Sequence, residues 1–340
     1  MRTIVRSADL HHDGPQIVDF LARNHTPEST TTRFEWLYST GTAGEARSWI
    51  ACDQVSGEVI GVAAAFPRRM RVFGEELPGW VLGDFCIDPR HRALGPALQL
   101  QKACLESLQS EAPAIYYDFP SPAMTAVYER LGISINQRLV RLVKPLRFDA
   151  KISRVIRQPQ IATAMTAVVN RGLLVFSNRR RAKAAVDLIP CNIPCGEEFT
   201  EFARSANAGL GICLLRSAEY LNWRFRGHPY RQHEIATLRR GDLLAGYAVI
   251  HDEGLNLNVV DLFCQAADIR ELIGGVIRIA EDRRKETVTV GVLDSQPYRK
   301  ILRRLGFFRR EKTPVVTFWT GRVLPPADAG WFLTNGDRES

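Results

Sequence analysis

Apolar residues along this chain recur with two periods. Gly57–Phe66, Trp80–Ile87 and Ala114–Phe119 are short apolar runs bounded by turn residues, and they predict strands. Val72-Phe-Gly-Glu-Glu-Leu-Pro78, punctuated by Gly and Pro, predicts a connection into the second of them. After Ile87 the period changes. Pro96 sits at a natural first helical position, and Ala97, Leu98, Cys104, Leu105 and Leu108 then mark one face of an amphipathic helix. A strand that runs through a glycine-bearing turn into a helix predicts a phosphate cradle. Amides at a helix start have no intrahelical acceptor, and Gly95 lets a pyrophosphate approach the main chain.

The order of elements occurs twice. Phe34-Glu-Trp-Leu-Tyr38 is echoed by Leu221-Asn-Trp-Arg-Phe225, Gly57–Phe66 by Gly241–Ile250, and Asp84-Phe-Cys by Asp261-Leu-Phe. The helix from Gly95 matches one expected to be capped by Asp268, with Ile269, Leu272, Ile273, Val276, Ile277 and Ala280 on one face. Thr287–Leu293 repeats the strand at Tyr117, and Leu302-Arg-Arg-Leu-Gly-Phe307 repeats Tyr128-Glu-Arg-Leu-Gly-Ile133. Two copies of one α/β unit follow. The second is shortened where the first has its glycine turn, since only Cys-Gln-Ala-Ala separates Phe263 from Asp268. Gly274 and Gly275 fall inside its helix, and Leu302 replaces Tyr128. That copy is expected to be structural, forming one wall of an acceptor pocket between the domains.

Length favours two domains: 340 residues exceed one ordinary core. A net charge of +8 favours anionic ligands, and no nucleic-acid motif accompanies it. No apolar window is long enough to cross a bilayer and Met1–Asp9 lacks a signal-peptide core, so a cytoplasmic protein is expected. Seven cysteines, among them Cys86, Cys104 and Cys264 in apolar surroundings, suit reduced core thiols. Cys191-Asn-Ile-Pro-Cys195 has neither redox nor zinc spacing, and the histidines show no ligand spacing, so no metal is expected. Pro159–Ser177 carries a helical apolar stripe followed by Arg179-Arg-Arg-Ala-Lys183. The pattern suits a linker helix packed on a domain, the usual place of such a stripe, or a peripheral contact with an anionic membrane through 159–183. The tail Ala329–Asp337 is apolar enough to pack back.

Arg92-x-x-Gly95-x-Ala97, preceded by Ile87-x-Pro89, resembles the acyl-CoA motif of the GNAT acetyltransferase superfamily. Ser121–Ile133 is similar to the family's tyrosine-bearing helix, with Ile133 in place of the usual Phe and Ser121 in place of Asn. Ala93 and Leu94 stand where the family often has Gly and a basic residue. The resemblance implies two tandem GNAT-like domains, each a twisted, mostly antiparallel mixed sheet flanked by helices. Residues 1–147 would hold the acyl-CoA site, 148–184 the linker, 185–322 the degenerate copy and 323–340 the tail. It implies an N-acyltransferase using acetyl-CoA or another acyl-CoA as co-substrate. Cys86, Ile87, Arg92, Ala93, Leu94, Gly95, Pro96 and Ala97 would bind it, and an amide near Cys86–Ile87 would polarise the thioester carbonyl. Tyr128 takes the place of the family's general acid. Asp84 is the candidate base, on the face of its strand that carries Cys86 if the strand is regular; the competing reading is an aspartate paired with an arginine. Asp118 is the other carboxylate in reach. The segment Tyr220–Phe225 and the chain's ending resemble, more loosely, GNAT-like proteins of bacterial polysaccharide synthesis, which implies an amino-sugar acceptor. Two rivals stand beside this: an aminoacyl-tRNA-dependent transferase of the peptidoglycan-bridge type, and a non-catalytic scaffold of a polysaccharide assembly.

Overall fold

Each copy of the repeat finishes its sheet with a strand taken from the other. The computed structural model describes residues 3–91, 94–109, 114–147, 186–206, 211–320 and 330–338. The first copy runs β1 (Thr3–Ser7), α1 (Leu10–Asn24), α2 (Thr31–Phe34), β2 (Arg47–Asp53), β3 (Val59–Val72), β4 (Glu75–Ile87), α3 (Leu94–Gln109), β5 (Ala114–Asp118), α4 (Pro122–Arg130) and β6 (Gln137–Pro145). The second runs β7 (Asp187–Ile189), α5 (Glu198–Ala206), β8 (Ile212–Leu214), α6 (Ala218–Leu221), β9 (Glu234–Arg240), β10 (Leu243–Glu253), β11 (Asn256–Cys264), α7 (Ile269–Asp282), β12 (Thr287–Leu293), α8 (Tyr298–Arg304) and β13 (Phe308–Thr320), before β14 (Trp331–Phe332) in the tail. The strand order is β1-β2-β3-β4-β5-β13-β6-β12-β11-β10-β9-β7. The end of β13 lies antiparallel to β5, from Val316 opposite Asp118 to Thr320 opposite Ala114. β6 lies antiparallel to β12, from Leu139 opposite Leu293 to Pro145 opposite Thr287. Because β6 and β13 also pair with each other, neither copy presents an unpaired edge at the junction.

Helices cover both faces. Leu100, Cys104, Leu105 and Leu108 of α3 pack on Ala63, Ala65, Leu82 and Tyr116, while Ile17, Phe20 and Leu21 of α1 pack on Ile50, Val62 and Cys86 of the opposite face. The apolar stripe predicted from Gly95 is thus the buried face of α3. The stretch read as a connection, Val72–Pro78, is instead a tight hairpin. Val72 pairs with Glu75, and the two turn residues, Phe73 at φ 49° and Gly74 at φ 99°, take the left-handed conformations that match strand twist. The strand β4 therefore starts at Glu75, five residues before the expected Trp80.

The two echoed segments adopt the same local geometry, a wide turn closed by Thr40 N–H to Glu35 C=O at 3.2 Å and by Gly227 N–H to Asn222 C=O at 2.7 Å. All seven cysteines are free thiols. The predicted linker helix and basic run, Pro159–Lys183, lie outside the described residues.

Candidate active site

The site begins with a fault in β4. Its pairing with β3 slips between Val62 and Ala64, where Val62 faces Cys86 and Ala64 faces Gly83. The extra residue is absorbed at Asp84, which sits at φ 46°, an unusual place for any residue but glycine. The bulge reverses the side-chain alternation. Leu82 packs toward α3, yet Cys86 packs toward α1, on the face where Asp84 also finds its partners. Asp84 and Cys86 do share a face, but the strand before them is out of phase with it. On the other side of β4, parallel pairing with β5 covers only Gly79–Val81 against Ile115–Tyr117. Past Val81 the two strands part, leaving that edge of β4 without a partner strand among the described residues.

Asp84 is 1 % exposed and tightly held. Arg33 donates both terminal nitrogens to its two oxygens, each at 2.8 Å, and the Tyr38 hydroxyl donates at 2.8 Å. His25 Nε2 lies 3.7 Å from Oδ1. Burial by itself would raise the pKa of Asp84, but the charge and hydrogen bonds of Arg33, with His25 and Tyr38, lower it below the ordinary value. This is the arginine-paired aspartate of the competing reading. A carboxylate so occupied is a poor proton acceptor, and its geometry suits orienting a neighbour.

A cleft of about 540 Å³ opens where β4 and β5 diverge. Of the residues expected to hold acyl-CoA, Cys86, Ile87, Leu94 and Ala97 line it. Gly95 and Pro96 occupy the first turn of α3, and a side chain built at Gly95 would meet nothing within 4 Å, so the approach to the helix start is open. Arg92 and Ala93 lie outside the described residues. A helix start, whose first amides lack intrahelical acceptors, with open space at Gly95 and the diverging strands β4 and β5 alongside, fits a pantetheine-pyrophosphate ligand.

Tyr128 is fully buried rather than presented to the cleft. Its hydroxyl donates to Asp118 Oδ2 at 2.7 Å and accepts from Gln101 Nε2 at 3.4 Å. Asp118 and His25 both line the cleft. Sequence reading missed His25: a lone histidine after α1 carries no spacing signal, and only the fold brings it to Asp84, far along the chain.

The second copy has the same divergence and has filled it. Pairing of β11 with β12 covers Asn256–Val259 and then stops. Asp261 occupies the position of Asp84, and the chain's own tail lies over it. The Thr334 hydroxyl donates to Asp261 Oδ1 at 2.7 Å, Thr334 bridges to Val292, and a Cβ on Gly336 would come within 3.0 Å of Asp261 Cβ. Arg216, fully buried, binds Asp261 at 3.0 Å and Asp337 at 2.7 Å. Here the tail does pack back. Asp268 precedes α7 as expected, but its side chain makes no cap and accepts instead from Arg240 at 2.8 Å, because its backbone is helical rather than extended. Gly275 lets α7 approach Val186, whose Cγ2 would lie 1.4 Å from an added Cβ. Among the described residues, no His, Cys, Asp and Glu side chains gather as a metal site, and no helix is long and apolar enough to cross a membrane.

Residues 12–135 match the model of an acetyltransferase (GNAT) domain family. A search of curated proteins finds no match. Among solved structures, a probable N-acyltransferase from Enterococcus faecalis is similar at TM-score 0.65 and 12% identity, covering 93% of this chain and 72% of the other. A GCN5-related N-acetyltransferase from Anabaena variabilis gives 0.65 and 13%, with the same coverages of 93% and 72%. The N-myristoyltransferase of Saccharomyces cerevisiae, solved with bound myristoyl-CoA and inhibitors, gives 0.58 and 12% over 95% of this chain and 81% of the other. At such identities the likeness is one of fold.

Proposed function

We propose that the chain, whose residues 12–135 match a GNAT domain, is an acyl-CoA-dependent N-acyltransferase of the GNAT superfamily with one working site, the cleft of its first copy. One observation carries this reading. The divergence of β4 and β5 is open onto the start of α3, whereas the equivalent divergence of β11 and β12 is filled by Thr334–Asp337. On this reading residues 1–147 hold the site, 185–322 form the structural copy, and the tail from 323 seals it.

Acyl-CoA supplies an activated thioester. The amides of Leu94, Gly95 and Ala97, with Arg92 and Ala93 before them, receive the pyrophosphate. The stretch of β4 at Cys86–Ile87, past the end of its pairing with β5, holds the carbonyl and polarises it. His25 takes the proton from the attacking amine as the carbon–nitrogen bond forms and the carbon–sulfur bond breaks. Asp84 orients His25 and stabilises its positive charge, as buried carboxylates do for catalytic imidazoles. Asp84 is thus a positioning residue. Tyr128 fixes Asp118 at the cleft wall, and serves as general acid to the sulfur only by leaving that hydrogen bond. The acyl group we assign is acetyl, and the acceptor an amino sugar, on the looser likeness of Tyr220–Phe225 and the tail. The compartment is the cytoplasm, which suits seven free thiols.

Calorimetry with acetyl-CoA on the intact chain and on Gly95→Trp tests the reading. One site per chain, lost in the variant, is expected. Absence of binding to the intact chain, by acetyl-CoA and by longer acyl-CoA, would overturn it in favour of a scaffold.

A further inference from the structure

Among the described residues, Arg68 carries a buried charge with which no carboxylate pairs. It is 3 % exposed, and it lies on the face of β3 that carries Phe66 and Met70, turned toward the second copy. Its Nη1 donates to the Pro67 carbonyl at 2.9 Å, and its guanidinium lies 5.2 Å from the Trp223 ring. Nε and Nη2 have no hydrogen-bond partner. The nearby buried carboxylates are engaged elsewhere, Asp84 by Arg33 and both Asp261 and Asp337 by Arg216. A ring face offsets only part of the cost of desolvating a guanidinium.

Two phenols share this condition. Tyr117 of β5 and Tyr220 of α6 are buried, and neither hydroxyl has a partner. Tyr220 packs on the Trp223 ring that Arg68 faces, with ring centroids 5.8 Å apart. Tyr117 is two residues from Ile115, which pairs with Gly79, the strand partner of Arg68. Burial and the Asp337 charge raise both hydroxyls in pKa while the charge of Arg68 lowers them. An arginine only donates hydrogen bonds, and a phenol donates readily. Three buried groups from both copies, each with a donor left unused, are complementary to an acceptor-rich anion.

We infer that Arg68, Tyr117 and Tyr220 form a subsite, between the two copies, for a carboxylate or phosphate carried by the acceptor. Its position relative to the cleft follows from the sheet. Tyr117 is adjacent to Asp118, and its ring meets that of Phe119, both of which line the cleft. Its strand partner Val81 lies three residues before Asp84, roughly 10 Å along an extended strand. The anion subsite therefore lies on the order of 10 Å from Asp84, and the amine, held beyond Asp84 at His25, lies at least about that far from the anion. That excludes the carboxylate of a simple α-amino acid and suits a phosphorylated or carboxylated amino sugar. The inference rests on the acyltransferase reading for the word acceptor, but the anion site stands without it.

The test is thermal melting of the full chain in sodium phosphate or sodium acetate, against chloride at equal ionic strength and without acyl-CoA. A saturable rise in melting temperature with one anion but not with chloride is expected, and which anion acts separates phosphate from carboxylate. Arg68→Met should abolish the rise and, in chloride, melt at or above the wild type, because a lone buried charge has been removed. Tyr117→Phe should weaken the anion about tenfold, the worth of one hydrogen bond to a charged group. No saturable response in the intact chain overturns the subsite. So does Arg68→Met melting well below the wild type or failing to fold, since the charge is then structural. Unchanged anion affinity in Tyr117→Phe removes that phenol from the site. Acetyl-CoA binding, measured separately, tells failure of the subsite from failure of the acyltransferase reading.

Discussion

Trp36 and Trp223 hold each other by the same bond given twice. The indole N–H of each donates to the other's backbone carbonyl at 3.1 Å, and the rings stack with centroids 5.3 Å apart. Each tryptophan lies in the wide turn of its own copy, so the pair marks a local two-fold axis between the repeats. Truncation of either indole removes an aromatic contact and both hydrogen bonds' geometry. Trp36→Ala is expected to cost about 3–5 kcal/mol, with Trp223→Ala similar and the double variant far short of additive. Urea unfolding of the four proteins measures this.

Asp84→Asn keeps the shape of the buried network and strands the Arg33 charge. Loss of about 3–5 kcal/mol at neutral pH is expected. Because folding lowers the pKa of Asp84, its contribution is fully present above the unfolded value, about 3.9, and fades as pH falls through the lower folded value. Stability of the wild type should therefore fall more steeply below about pH 4 than that of Asp84→Asn. Parallel acid-unfolding curves for the two proteins would contradict the assignment.

His25 is about a third exposed and its loss should leave the fold intact. With an accepted amine, His25→Ala should lower kcat by about 10²–10⁴-fold and remove the limb of the pH–rate profile set by the base. An unchanged profile would return the proton to solvent.

Tyr128→Phe separates holding from proton donation. If the phenol only secures Asp118, the variant loses about 1–3 kcal/mol of stability and less than about tenfold in kcat. A hundredfold fall in kcat at unchanged KM would make Tyr128 the acid to the sulfur.

What could be read in advance followed local rules. The spacing of Ala97 to Leu108 required a helix with one buried face, and the apolar run Thr287–Leu293 is the strand β12 at both ends. The helix start at Leu94–Gly95 was legible because the change from strand period to helix period marks it. The repeat was legible because both copies keep matching residues at matching places, Trp36 with Trp223 in the wide turns and Asp84 with Asp261 on β4 and β11. Asp84 was left between a base and an arginine-paired carboxylate, and the burial of Tyr128 was not legible, since a polar group's availability depends on what faces it. Arg33 reaches Asp84 from another element, and a bulge, invisible in a run of apolar letters, turns the strand to meet it.

The sequence alone therefore determined the elements, their duplication and the helix start before which an anion can lie, because propensity and periodicity act over a few residues. Only the tertiary structure decided that β6 and β13 change places, that the tail fills one divergence and leaves the other open, and that His25 and Tyr220 come to the first-copy sheet that carries Arg68. Those outcomes depend on pairings between residues far apart in the chain, selected by which contacts bury surface and satisfy charge together, and no local pattern records them.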